Sequence, residues 1–165
     1  MAVRMELSRI LIQELKDFQV IELREVAEAA TDANTADLDP DGTKAGTVSQ
    51  VEHGRSFPIV IGLPEAQAIE RRLKGIVIKR PQTHDLLANV ITALGGTLES
   101  ITINDLSEST FFAQLNVKTA GSGGKVVHID SRPSDAIALG IAGNVPIYVA
   151  EHVLDAAQKN DDEDK

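Results

Sequence analysis

A chain of 165 residues with 42% hydrophobic content suits one well-cored domain and is short for two. It contains no cysteine, which excludes a disulfide framework and any thiolate zinc site. A net charge of −9 argues against a nucleic-acid partner for the molecule as a whole, because phosphate wants a basic surface.

The acids are not spread evenly. Residues 27–54 hold six of them (Glu28, Asp32, Asp37, Asp39, Asp41, Glu52) against Lys44. Residues 161–165 add Asp161, Asp162, Glu163 and Asp164 against Lys165. The body between is close to neutral. No apolar run approaches the ~20 residues needed to span a bilayer. The N-terminus lacks the apolar core of a secretory signal, so a cytoplasmic protein is the expectation.

In chain order, residues 5–12 and 19–26 read as two strands joined by a turn over Leu15-Lys16-Asp17-Phe18. Alternation is clearest in Gln19-Val-Ile-Glu-Leu-Arg-Glu-Val26, which predicts one face in the core. Residues 27–54 carry almost no large apolar side chain and read as a flexible acidic insertion. Ile59-Val60-Ile61 reads as a strand buried on both faces. Pro64 and Glu65 suit a first helical turn, and that helix runs to about Lys74, closed by Gly75. Within it Glu70 and Lys74 are spaced to pair at i, i+4.

Thr83 is the expected cap of a helix over 84–94, with Leu86, Leu87, Val90, Ile91 and Leu94 as its apolar face and Gly95-Gly96 as its stop. Strands follow over 97–106 and 110–118, turned through Ser107-Glu108-Ser109, and Phe111 and Phe112 then point to opposite faces. A Gly-rich turn at 121–124 leads to a strand over 125–129. A helix ending near Gly143, a short strand over 146–149 and a terminal helix over 151–158 complete the body. The expected class is α+β: a single compact domain over 1–157, with a mixed sheet of antiparallel hairpins packed by three to four helices. Residues 158–165 read as a disordered acidic tail.

The densest chemistry lies at Asp130-Ser131-Arg132-Pro133-Ser134-Asp135, where a strand passes directly into a helix. Such a junction offers free backbone N–H groups and a positive dipole end. Capping by Ser131 or Ser134, with Pro133 and Asp135 in the first turn, accounts for part of it without any function. Asp130 and Arg132 are left over by that account. Arg80-Pro81-Gln82-Thr83-His84-Asp85 echoes the pattern and again sets an arginine and a carboxylate at a helix start.

If the two helix starts face each other, Asp85, Asp130 and Asp135 offer oxygen ligands to Mg²⁺ or Mn²⁺. Arg80 and Arg132 would then clamp phosphate, and His84 would serve as a general base. His53, His128 and His152 show no metal-ligand spacing, and no Walker, dinucleotide or nucleophile-elbow pattern occurs. Four Phe and one Tyr are too few for a base-stacking platform.

Gly54 to Gly62, the run Glu65 to Gly75 with Glu70-Arg71-Arg72-Leu73-Lys74-Gly75, Arg80 to Ala88, Ile103-Asn104-Asp105-Leu106 and Asp130 to Ala138 together resemble the bifunctional nuclease family, long described as bacterial domain of unknown function 151. The resemblance implies a compact α+β domain, frequent oligomers, and activity on DNA and RNA as in plant members. Onto the matching motifs it carries Glu65, Glu70, Arg71, His84, Asp85, Asn89, Asp130, Arg132, Ser134 and Asp135. The roles rest on chemistry: His84, Asp85, Asp130, Asp135 and Glu70 as catalytic groups, and Arg71, Arg80, Arg132, Ser134 and Asn89 toward substrate. The insertion over 27–54 and the acidic tail depart from the shorter family form.

Three readings therefore stand side by side. The first is a nuclease acting on DNA or RNA, with or without the assistance of a metal. The second is a non-enzymatic oligomeric or partner-binding module in which these groups hold helix starts. The third is binding of a small anion without turnover.

Overall fold

A long polar–apolar alternation at the N-terminus starts the sheet. In the computed structural model, which describes residues 1–26, 54–121 and 123–163, strands β1 (Ala2–Leu11) and β2 (Gln19–Glu25) pair antiparallel. Their turn is tied from inside by Gln19, which is 1% exposed. Its amide donates to the Gln13 and Lys16 carbonyls at 3.0 Å each and its oxygen accepts from the Gln13 N–H. The predicted hairpin is present. Most of the acidic insertion expected at 27–54, with His53, lies outside the described residues, as does Ser122.

Strand β3 (Ser56–Ile61) follows, then α1 (Leu63–Leu73), α2 (Thr83–Ala93), β4 (Thr97–Ser107), β5 (Thr110–Lys118) and β6 (Val126–Ser131). The chain ends with α3 (Pro133–Gly140), a 3₁₀ turn over Ile141–Gly143, β7 (Ile147–Ala150) and α4 (Glu151–Glu163). The strands form one seven-stranded sheet in the order β3-β2-β1-β7-β4-β5-β6. All neighbours are antiparallel except β4 and β7. This is the α+β class expected, a mixed sheet with four helices. The terminal helix runs on to Glu163 and not to Gln158.

The expectation for β3 needs correction. Ile59 and Ile61 are buried, but Val60 between them is 64% exposed. The strand is an edge, and Pro58 sits in it with its side chain outward. An edge position is where a strand tolerates proline, because no further ladder bond is lost.

The sheet is strongly curved. The Phe57 ring on β3 stacks on the Phe111 ring of β5 at 5.4 Å, although four strands separate β3 from β5 in the sheet order. Phe111 thus faces the core, while Phe112 alternates outward at 40% exposure. Inside the curve lies α3, whose Ala136, Ile137, Ala138 and Leu139 are all buried. At its end Gly140 rides so close to β4 that an added Cβ would meet the Ile101 Cδ1 at 2.6 Å. A side chain there would have to push Ile101 and Val145 aside, so contact rather than conformation favours glycine.

Helix α1 packs along α3, and α4 closes the end of the curve with Val153 and Leu154 buried. Helix α2 is different: none of its residues is buried. Leu86, Leu87, Val90 and Leu94, expected as its core face, are 57%, 41%, 42% and 80% exposed. Only Ala88 and Ile91 pack partly against the core.

Ile137 is 0% exposed at the centre of this packing. We expect Ile137→Ala to cost roughly 2–5 kcal/mol, the range for truncating a buried aliphatic side chain. Urea unfolding followed by circular dichroism measures it, and a loss below about 1 kcal/mol would contradict this account of the core.

Candidate functional site

Three helix starts meet at one corner. The strand β6 runs through Asp130 and Ser131, so the strand–helix junction falls at Arg132, which occupies the N-cap position of α3 without a side-chain cap bond. Neither serine caps the helix. Ser131 Oγ donates to the Arg132 carbonyl, and Ser134 is 5% exposed inside the first turn. Pro133 in the first turn fits, as its missing N–H has no helical acceptor there.

Arg132 organises the corner. Its Nε donates to Asp135 Oδ2 at 2.7 Å, and one terminal nitrogen donates to Asp135 Oδ1 at 3.1 Å and to Glu65 Oε1 of α1 at 3.2 Å. From α2, His84 Nε2 meets Asp135 Oδ1 at 2.9 Å. The two echoing helix starts therefore do face each other. Burial pushes the Asp135 carboxyl up, but hydrogen bonds from Arg132 and His84 outweigh it and hold the carboxyl below its usual range. The Arg132 side chain remains 65% exposed. Its other terminal nitrogen has no hydrogen-bond partner among the described residues.

A second carboxylate fixes α2 from the other side. Asp85 accepts from Arg71 at 3.0 Å, from Arg72, and from the Gln82 backbone N–H at 3.1 Å. Gln82, and not Thr83, is the N-cap residue; Thr83 is already helical. Burial again pushes this carboxyl up, and the Gln82, Arg71 and Arg72 contacts hold it low. Arg72 also donates to the Leu139 carbonyl of α3 at 3.2 Å, while its Nε is buried without a partner. The sequence reading gave Arg72 no role. Its signal was the tandem Arg71-Arg72 in the last turn of α1, just before the chain turns toward α2.

The other expected residues lie apart from this corner. Asp130 alternates with Ile129 and Ser131 along β6, opposite Gln114, and so points to the outer face of the sheet. Glu70 pairs with Lys74 at 2.6 Å on the surface of α1, the i, i+4 contact read from the sequence. Arg80 and Asn89 are exposed.

A three-carboxylate metal centre does not fit this geometry. The oxygens of Asp85 and Asp135 are engaged by Arg71, Arg72, Arg132 and His84, and Asp130 faces elsewhere. Among the described residues no group of three His, Asp or Glu side chains is gathered to hold an ion. A cation here would have to displace an arginine.

Beside Arg132 a cleft of about 520 Å³ opens between β3 and the β4–β5 turn. Phe18, Ile59, Phe111, Pro133 and Ser134 line it together with Arg132. An apolar cavity with a cation at its mouth is the usual form of a small-ligand site. No described helix is long and apolar enough to cross a membrane.

The corner thus belongs to an α+β domain that sets a His–Asp pair and a partly free arginine at the starts of three helices. Residues 48–162 match the bifunctional nuclease domain, and the chain belongs to that family. An uncharacterized protein of Mycobacterium tuberculosis is 42% identical over 100 residues, covering 61% of this chain and 57% of that one. Bifunctional nuclease 1 of Arabidopsis thaliana is 23% identical over 100 residues, with 61% and 31% covered. Bifunctional nuclease 2 of Oryza sativa subsp. japonica is 25% identical over 104 residues, with 62% and 32% covered. The matched stretch is thus little more than half of the mycobacterial relative and about a third of the plant ones.

The two depressed carboxyls set the acid response. Their folded pKa lies below the unfolded value of ~3.9, so their stabilisation is complete above that value and is lost as pH falls through the folded one. Unfolding free energy should therefore drop as pH is lowered below about 4. Asp85→Asn should cost about 3 kcal/mol at pH 7 by leaving two arginines without their partner, and should flatten the acid limb. Urea melts from pH 3 to 7 test both; an acid limb unchanged in Asp85→Asn would remove this pair from the account.

Proposed function

We propose that this domain is a nuclease that hydrolyses phosphodiester bonds of DNA or RNA at the corner formed by His84, Arg132 and Asp135. The observation that carries the reading is the His84–Asp135 contact of 2.9 Å beside an exposed arginine at the mouth of a cleft. Membership of the bifunctional nuclease domain family supports the substrate class.

In this reading His84 donates from Nε2 to Asp135, which leaves the Nδ1 lone pair to take a proton from water. The water oxygen attacks phosphorus, the P–O ester bond breaks, and the leaving oxygen takes a proton from solvent. Arg132 keeps two of its nitrogens on Asp135 and offers the third to a phosphate oxygen, where charge builds up in the transition state. The cleft lined by Phe18 and Phe111 takes the neighbouring sugar and base. Asp135 acts through His84 and Arg132 as a positioning residue. Glu65 does the same for Arg132. The proposal routes no step through a metal, and it includes self-association of the chain and a cytoplasmic setting.

The rival reading, a non-enzymatic module, is favoured by one observation: both carboxylates are already satisfied by internal cations. One experiment separates the two. Purified protein is incubated with single-stranded DNA, duplex DNA or RNA, with Mg²⁺, Mn²⁺ or EDTA, beside identically purified His84→Gln and Asp135→Asn. We expect cleavage by the wild type and a fall of roughly 10²–10⁴-fold in His84→Gln, the usual worth of a general base. Because an amide at position 84 can still donate to Asp135, His84→Gln should remain folded, which circular dichroism checks. Equal cleavage by wild type and both variants would place any activity elsewhere. No cleavage under any condition, with a large loss of stability in Asp135→Asn, would favour the module.

A further inference from the structure

The cleft beside Arg132 has an edge strand for one wall. Pro58, Ile59, Val60, Ile61 and Gly62 line it, with the β4–β5 turn and the start of α3 as the other wall. β3 has a neighbouring strand, β2, on one side only. In an antiparallel ladder alternate residues turn both backbone groups to the partner, and those between turn both away.

Two bonds fix which residues do which. The Glu25 N–H donates to the Arg55 carbonyl at 2.8 Å, in step with the pairs Leu23↔Phe57, Ile21↔Ile59 and Gln19↔Ile61. Phe57, Ile59 and Ile61 therefore bond to β2. Ser56 turns the other way, for its carbonyl accepts from the Gln158 amide of α4 at 2.6 Å. By the same alternation Pro58 and Val60 turn their backbone groups to the open side. Pro58 brings no N–H. The row beside the cleft is thus the Pro58 carbonyl, the Val60 N–H and the Val60 carbonyl, and none of the three has a hydrogen-bond partner among the described residues.

A carbonyl next to an N–H matches one edge of every nucleobase. Adenine and cytosine set an amino donor beside a ring-nitrogen acceptor; guanine, thymine and uracil set a ring N–H beside a carbonyl oxygen. In each case this is the edge used in base pairing. A base held on β3 is therefore unpaired. Its identity matters little, since turning the base over exchanges donor and acceptor.

The rest of the cleft suits one base and not a pair. Its volume of about 520 Å³ is that of a small-ligand site. Phe18, 50% exposed, lines it together with Phe111, and Lys16 Nζ stands 5.8 Å from the centre of the Phe18 ring. One exposed ring is a slot for one base, which asks for far fewer aromatics than a stacking platform. The charged residues of the lining are Arg132 and Asp17, so the phosphate belongs at Arg132 and the uncharged base against the wall.

We infer that this cleft is a subsite for one unpaired nucleotide, its base-pairing edge bonded to Pro58 and Val60 of β3, so that the substrate is single-stranded where it crosses the corner. The choice of a nucleotide rests on the nuclease reading. The inference adds to that reading a need for an unpaired strand and little preference among bases.

The test pairs cleavage with binding, both on the full chain. The probes are labelled oligothymidylate, the same strand annealed to oligoadenylate, and a single strand of N3-methylthymidine, whose methyl group removes the ring N–H. We expect the single strand to be cut at least about tenfold faster than the duplex, and the methylated strand to bind roughly tenfold more weakly by fluorescence anisotropy. Val60→Pro removes the strand's one free donor at an edge that already holds proline two residues earlier. It should keep its circular dichroism spectrum and lose roughly tenfold in binding. Equal cutting of single strand and duplex would overturn the inference, as would equal binding of plain and methylated strands or wild-type binding by folded Val60→Pro. Should Val60→Pro unfold, the methylated strand decides. If nothing is cut, the nuclease reading fails and binding alone judges the subsite: preference for the plain strand supports it, and no binding or no preference overturns it.

Discussion

The position of α2 rests on two residues of its first turn, His84 and Asp85, and on the charged partners that hold them. Asp85 is held by Arg71 and Arg72 of α1, and His84 is held by Asp135 of α3. A helix with no buried residue has little hydrophobic energy to keep it in place. Its charged N-terminus, half sheltered from water, supplies what its apolar face does not. Surface ion pairs usually contribute little, but Arg71, Arg72 and Asp85 are 13%, 11% and 19% exposed at the side chain. At that depth the loss of one member leaves a charge that water solvates poorly, which makes the cluster cooperative.

The same constraint builds the chemical corner. Because α1 and α3 pack along each other on the curved sheet, their starts lie within reach of one arginine, Arg132. Because Asp85 brings the first turn of α2 against α1, His84 arrives at Asp135. The curvature matters too. It brings Phe57 of β3 onto Phe111 of β5, and so places the wall of the cleft beside Arg132. Three local facts, a tandem arginine, a bent sheet and a proline-led helix start, thus converge on one position.

Much of this was legible in the chain because it is written in short-range patterns. The hairpin at Gln19, the α1 span, the Glu70–Lys74 pair and the turn at Glu108-Ser109 follow from alternation, helical spacing and turn chemistry, and Glu108 and Ser109 take the left-handed conformation. The resemblance of the Arg80 and Arg132 stretches also proved spatial, since the two helix starts meet. What failed were statements about surroundings. Val60 and the leucines of α2 are apolar, and periodicity alone assigned them to the interior; whether a neighbour covers them depends on sheet order. Asp130 failed as a companion of Asp85 and Asp135 through strand parity. β6 continues two residues further than its apolar run, so Asp130 is still in the pleat and points away. Arg72 was missed because its worth lies in contacts with two other helices, which no spacing within α1 displays.

One helix therefore joins two surfaces that would otherwise be unrelated. The first residues of α2 carry His84 and Asp85, and the turns after them carry the exposed leucines and Val90. With so little of α2 buried, its anchoring is mainly the pair of carboxylate clamps, so the contacts that set the corner also hold the helix that carries the exposed leucines.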